Sequence, residues 1–241
     1  MSPAIPILYT DDALLVINKP SGLHTLPDGY DVSLPHVRSL LEPEYGRLWI
    51  VHRLDRETSG VLALARSAEA HRHLNTQFAE HSIHKIYHAL VLGEPDWKTH
   101  TISLPLSTNR GHRHRTVVDK RHGKPAVTHL RVLARYGLYT LIEAAPETGR
   151  THQIRAHLAA LELPIAVDPL YGDGLPVRRA DAVPQELPGL LPEPPVLTHL
   201  ALHARSLAII HPVSGETLAV EAPYPREWQE LLHLLKRSRM R

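Results

Sequence analysis

The chain contains no cysteine, which excludes disulfides, thiolate zinc sites and a cysteine nucleophile. Phenylalanine occurs once and methionine twice, so Leu, Ile, Val and Ala must fill most of any core. No apolar run approaches the roughly 20 residues that a membrane helix needs. The opening MSPAIPILYTDD also lacks the basic start and apolar stretch of a secretion signal. A cytoplasmic protein without membrane contact is the default expectation, and a monomer is expected. Excess charge is scarce too: 27 Lys and Arg face 25 Asp and Glu, for a net charge of +2 with 19 histidines left neutral. Bulk charge therefore makes no case for nucleic acid, and only local clustering can.

Several chemistries are missing as motifs. GxSxG, GxGxxG, the phosphate-loop lysine pattern and HExxH do not occur. Histidine is abundant, but His112 and His114 lie two apart in a polar stretch, and His152 and His157 lie five apart, on different sides of a helix. Neither pair has an acid or cysteine at a ligand spacing, so no protein-held metal is expected.

What remains is a globular composition, 43% apolar and 22% charged, over 241 residues. ILYTDDALLVINK reads as two short strands around an Asp-Asp turn. LPHVRSLLE reads as a short helix, and GVLALAR, from Gly60, as an apolar strand. SAEAHRHLNTQFAEHS has Ser67 as an N-cap and Ala70, Leu74 and Phe78 on one helical face. HKIYHALVLG is a strand with Lys85, Tyr87, Ala89 and Val91 on one side. AVTHLRVLA and LYTLIEAA pair around Tyr136-Gly137. ETGRTHQIRAHLAALE turns at Gly149 and starts a helix near Thr151. LHARSLAII and TLAVEA form a last hairpin. REWQELLHLLKR closes as an amphipathic helix with Trp228, Leu231, Leu232 and Leu235 inward. Residues 172–195 read as an irregular Pro- and Gly-rich excursion within a single catalytic domain spanning 1–241. Hairpins dominate and strand–helix alternation is absent, so the expected class is α+β with a large, mostly antiparallel sheet flanked by helices and loops.

Three segments carry chemistry. In VHRLDRETSG, Asp55 sits between Arg53 and Arg56, just before an apolar strand where a carboxylate is poorly hydrated. It is either an active-site acid or a structural residue, in a salt bridge or in an Asx-type turn leading into Thr58-Ser59-Gly60. In GRTHQIR, a glycine turn leads into a helix start that favours anions. Arg155 lies about one turn in, where a guanidinium facing the sheet needs a carboxylate, and Asp55 is a reasonable partner. Tyr87 is either a core tyrosine or a ring that stacks on a flat ligand. A fourth segment, Asn109 to Lys124, holds eight Arg, Lys or His before its final lysine and a single acid. It is either a solvated loop or a phosphate-contacting one.

Taken in order, LLVINKPSGL, HRLDRETSGVLALAR, KIYHALVLG, KPAVTHLRVL and ETGRTHQIRAHLAALELPIAVDPLYG resemble the RluA family of pseudouridine synthases. The resemblance implies the pseudouridine-synthase fold, an isomerase activity on uridine in RNA, a flipped-out base and no cofactor. It implies Asp55 as the essential aspartate and Arg53 as the arginine that enters the RNA stack. It implies Tyr87 as the ring that packs on uracil and Arg155 as the partner of the aspartate. Arg113, Arg115 and Arg121 in the basic segment would contact phosphates, which give affinity rather than sequence choice. The RNA would be a ribosomal or transfer RNA stem-loop. With the first strand starting by about Ile5, the family's S4 domain is not expected. One departure falls at Val167, where the family usually has glycine before DPLYG. A non-catalytic RNA binder on the same fold would require a lost site, yet all four site residues are present. A glycoside hydrolase would need a second facing carboxylate, and only Glu57 is near.

Overall fold

A computed structural model describes residues 5–110, 115–182 and 194–239. In chain order its elements begin β1 (Ile7–Thr10), β2 (Leu14–Lys19), α1 (Val37–Tyr45), β3 (Trp49–Ile50), β4 (Ser59–Ala65), α2 (Ala68–Ala79) and β5 (His84–Leu92). They continue with β6 (Thr99–Ser103), β7 (Leu106–Arg110), β8 (Arg115–Val118), β9 (Val127–Arg135), β10 (Tyr139–Pro146) and α3 (Gln153–Ala160). The last are α4 (Arg179–Ala182), β11 (Leu202–Ile210), β12 (Thr217–Glu221) and α5 (Arg226–Arg239). Ten strands share one mixed, mostly antiparallel sheet, and β7 and β8 form a separate ribbon. The fold is α+β, as expected. The chain divides into two compact units, Met1–Tyr87 with His203–Pro223 and His88–Leu202 with Tyr224–Arg241.

The first unit is organised around β4. All seven of its residues are buried, and β2 runs antiparallel to it from Leu14–Ala65 to Lys19–Gly60. The strands alternate between two apolar clusters. Leu14, Val16, Val61 and Ala63 join Ala70 and Leu74 of α2, whereas Leu15, Ile17, Leu62 and Leu64 join Val37 and Leu41 of α1. Both faces are therefore covered, which is why LLVI and GVLALA are unbroken apolar runs. Local signals agree with this packing. Asp11 Oδ1 accepts from the Ala13 and Leu14 N–H groups at 2.8 and 2.7 Å and closes the β1–β2 turn. Ser67 caps α2 by accepting from Ala70 N at 3.1 Å. At the start of β4, the parallel pairing with β11 brings Gly60 against Ala204 with φ +112°, where a Cβ would lie 2.2 Å from the Ala204 carbonyl oxygen.

The second unit has β10, β9 and β6 in antiparallel order, with β9 and β10 paired around Tyr136 and Gly137. Trp228, Leu231, Leu232 and Leu235 of α5 are buried as their spacing predicts. Two expectations need correction. Helix α3 starts at Gln153 rather than near Thr151, because His152 takes left-handed angles (φ 51°, ψ 22°) and cannot be a helical residue. The excursion at 172–195 is not wholly irregular, since its residues 179–182 form α4; residues 183–193 lie outside the described residues.

Gly60→Ala should destabilise the chain by at least about 3 kcal/mol, since both the backbone angle and the close approach exclude a side chain. Urea denaturation of the two proteins would check this, and an unchanged midpoint would refute the β4–β11 contact as drawn.

Candidate active site

Asp55 lies in the connection between β3 and β4, half-buried between the exposed Arg53 and Arg56. Its backbone is held on both sides by one loop, residues 19–25. Before it, the buried Thr25 donates its hydroxyl to Leu54 O at 2.8 Å and accepts from Leu54 N at 3.3 Å. After it, Lys19 Nζ donates to Arg56 O at 3.0 Å and also to Pro20 O and Leu23 O at 2.9 and 2.8 Å. Gly22 N donates to the same Arg56 carbonyl at 2.9 Å, and Ser21 Oγ donates to Glu57 O at 2.7 Å. Thr58 N closes the turn onto Asp55 O at 3.1 Å. The turn into Thr58 is thus present, and it is closed by the Asp55 backbone carbonyl rather than by its carboxylate.

Lys19 is fully buried. Burial pushes its ammonium down to about 7, while the charges of Glu57 and Asp55 pull it back up. Tyr87, at the end of the unit on β5, packs against the cluster that contains Leu54 and Leu62. Burial, and then the negative charge of Asp55, push its phenol well above its ordinary value, so it stays protonated. His52, three residues before Asp55, accepts from Ala63 N through Nε2 at 3.0 Å and stacks on Phe78 with centroids 4.8 Å apart. Pairing between β3 and β4 covers only Ala65 and Leu64, so the imidazole takes over the next position of the ladder. Burial and then the Lys85 charge push it down to about 3, which keeps the ring neutral and able to accept.

In the second unit, Arg155 is 3% exposed and forms a fork with the fully buried Asp168: Nε to Oδ2 at 2.8 Å and Nη2 to Oδ1 at 2.7 Å. Asp168 Oδ1 also accepts from the N–H groups of Leu170 and Tyr171, and the Tyr171 ring lies 5.1 Å from the guanidinium carbon. The sequence offered Asp55 as the partner for Arg155; it did not single out Asp168, which supplies a bidentate one. The turn that leads to Asp168 is closed by its own N–H on Ile165 O at 3.2 Å, with Val167 at φ 59°. That sign of φ favours glycine at the third position of a turn, the residue that the family resemblance led one to expect there. Here a buried valine takes the same backbone conformation.

Among the described residues, the basic segment takes in the end of β7, all of β8 and the turn after it. Arg115 is exposed and donates Nη1 to Leu170 O at 3.4 Å. Arg121 is exposed in a turn that Asp119 closes on Arg121 N and His122 N at 3.1 and 2.9 Å. Arg113 lies outside the described residues.

Residues 13–160 match the RNA pseudouridylate synthase family. Ribosomal large subunit pseudouridine synthase C of Vibrio cholerae is 36% identical over 96% of this chain and 70% of the relative. Ribosomal large subunit pseudouridine synthase D of Xanthomonas campestris is 38% identical over 98% and 70%. The solved structure of human RNA pseudouridylate synthase domain containing 4 superposes with a TM-score of 0.72 at 27% identity, covering 96% of this chain and 93% of the other. The chain belongs to the RNA pseudouridylate synthase family. It is an isomerase that converts uridine in RNA to pseudouridine.

For this synthase the sequence pointed to Asp55, Tyr87, Arg53 and Arg155 but gave no role to Lys19, Thr25, His52, Asp168 or Tyr171. Lys19, His52, Asp168 and Tyr171 sit inside the quoted motifs, in NKPSG, HRLDR and DPLYG, and that was their only signal; Thr25 lies outside them. No helix among the described residues is long and apolar enough to cross a membrane. Among the same residues no His, Asp and Glu group could hold a metal ion.

His52 predicts an acid-limb effect. Its folded value lies below the unfolded one, so the unfolded chain binds the extra proton as pH falls. Stability from this group should be complete above about pH 6.5 and fall by about 1.4 kcal/mol per unit from there toward about pH 3. His52→Gln keeps an acceptor without titrating. The wild-type-minus-variant difference in urea stability should therefore shrink with falling pH, and a flat difference would contradict the neutral imidazole. Asp168→Ala should cost about 3–5 kcal/mol, because it removes the fork from a buried guanidinium; equal thermal stability of the variant would contradict that geometry.

Proposed function

We propose that the chain isomerises uridines in large-subunit ribosomal RNA, with Asp55 as the essential carboxylate and the whole chain acting as one catalytic domain. The names of its relatives support ribosomal RNA over transfer RNA. The observation that carries the assignment is the clamping of Leu54, Arg56 and Glu57 by the 19–25 loop, which leaves Asp55 half-buried on a fixed backbone where its charge reaches the Tyr87 phenol.

The reaction breaks the N1–C1′ bond, rotates the uracil and joins C5 to C1′. A stacked base has no room to rotate, so the nucleotide must leave the helix for a pocket. Attack at C1′, addition at C6 and proton removal from C2′ all require Asp55 as carboxylate. Tyr87 would pack on the flipped ring. Its phenolate is opposed by burial and by Asp55, which favours water as the acceptor of the final C5 proton. Arg53, exposed and two residues before Asp55, would fill the space the base leaves. Arg155 would keep the aspartate ionised, a role that rests on the family resemblance. The fork with Asp168 keeps its guanidinium plane fixed for such a task. Arg113, Arg115 and Arg121 would contact phosphates.

Asp55→Asn should reduce tritium release from ribosomal RNA labelled at uridine C5 to background, while leaving folding and RNA binding intact. Turnover near wild type would end the assignment of Asp55. Normal turnover on transfer RNA, with none on ribosomal RNA, would end the substrate assignment alone.

A further inference from the structure

Tyr171 takes no part in the chemistry proposed above, yet its side chain joins three segments of the second unit. Its hydroxyl accepts from Thr116 N at 2.8 Å and donates to Thr116 O at 3.0 Å, so it meets both backbone groups of one residue in β8. Thr116 is buried and sits where the ribbon register slips, between the Ser107–Val117 and Arg110–Arg115 pairs. The phenol thus does at this point what a third strand would do. The same hydroxyl lies 3.2 Å from His152 Nδ1, on the residue that caps α3. The ring lies beside the Arg155 guanidinium, and the Tyr171 N–H donates to the carboxylate that forks Arg155.

A two-stranded ribbon alone is marginally stable in water. The base of this one is tied by the reciprocal bonds of Leu106 with Lys124, at 2.9 and 2.8 Å. Its β8 side is tied by Tyr171 and by Thr116 Oγ1, which donates to Thr151 O at 2.8 Å. Removing the hydroxyl would leave two buried backbone groups of Thr116 without this partner, and the strand would have to turn toward water to satisfy them.

We propose that Tyr171 is a positioning residue with two separable functions: its hydroxyl sets the pose of the basic β7–β8 ribbon on RNA, and its ring steadies the Arg155 guanidinium. This rests on the reading that the basic segment contacts RNA phosphates. Tyr171→Phe removes the first function and keeps the second; Tyr171→Leu removes both.

The test measures binding of an unmodified large-subunit ribosomal RNA transcript across salt concentrations, single-turnover rates at saturating RNA, and urea midpoints as a fold control. The proteins are wild type, Tyr171→Phe, Tyr171→Leu and the double variant Arg115→Ala/Arg121→Ala. Tyr171→Phe should bind about ten-fold more weakly, with a shallower salt slope and a single-turnover rate within about two-fold of wild type. Tyr171→Leu should bind as weakly and also turn over more slowly. If the double variant loses affinity while Tyr171→Phe binds like wild type, the positioning role is overturned and the RNA-contact reading survives. If the double variant binds like wild type, the RNA-contact reading falls first and the ribbon function falls with it. A Tyr171→Phe protein that binds normally but reacts slowly would place the hydroxyl in the chemistry and overturn the proposal.

Discussion

One buried ammonium holds the segment that carries Asp55. Lys19 has three N–H donors, and three carbonyls meet them, two from its own loop and one from Arg56. Burying a cation costs several kcal/mol unless its hydrogen bonds are fully met and opposite charges stand near. Here both conditions hold, since Glu57 and Asp55 pull against the effect of burial. An arginine could not replace it, because a planar fork cannot converge on three carbonyls arranged around one point. The cation therefore belongs to the architecture of the aspartate loop. Thr25 on Leu54 does the same work on the other side with a neutral hydroxyl.

The place where this loop meets the sheet follows from burial. Strand β4 is covered on both faces, so no polar side chain can be presented from its length. The nearest permitted site is just before its first residue, where the chain is still partly open to solvent. Gly60 forces the matter further, because β11 passes too close there for any side chain. An aspartate four residues before the start of such a strand is held by a rigid element yet remains accessible. Rigid placement beside an open face is what a positioned carboxylate requires. His52 extends the same logic backward, since its imidazole continues the edge of β4 where β3 stops.

Most elements were legible because their signals are local. The Asp-Asp turn, the Ser67 cap and the apolar run of GVLALA each act within a few residues, and each appears as read. The candidate residues stand out for a different reason: their motifs occur in order along the chain. What escaped was pairing across sequence distance. Nothing near Arg155 in sequence announces Asp168, thirteen residues on and past the end of the helix. Nothing near Tyr171 announces Thr116, fifty-five residues earlier. The start of α3 was misjudged because His152 adopts a left-handed conformation, which composition does not signal for a histidine.

Val167 shows how the chain tolerates a local rule being broken. A β-branched residue in the left-handed region costs about 1–2 kcal/mol and is rare. Three constraints meet at this turn and leave the backbone little choice. Ala166 N donates to Leu90 O and Ala166 O accepts from Ala201 N, which fixes the residue before it in a strand-like setting. Asp168 N returns to Ile165 O, which closes the turn. Asp168 then spends its carboxylate on Arg155, Leu170 N and Tyr171 N, which fixes the residue after it. With both neighbours held, the left-handed angle at 167 is imposed rather than chosen, and a glycine would meet the demand without strain. The valine side chain is itself buried, at 6% exposure, and so recovers apolar burial against that strain. The departure from the family's usual residue therefore leaves the Arg155–Asp168 fork intact, because the fork and the strand bonds, not the identity of residue 167, determine the path of the chain.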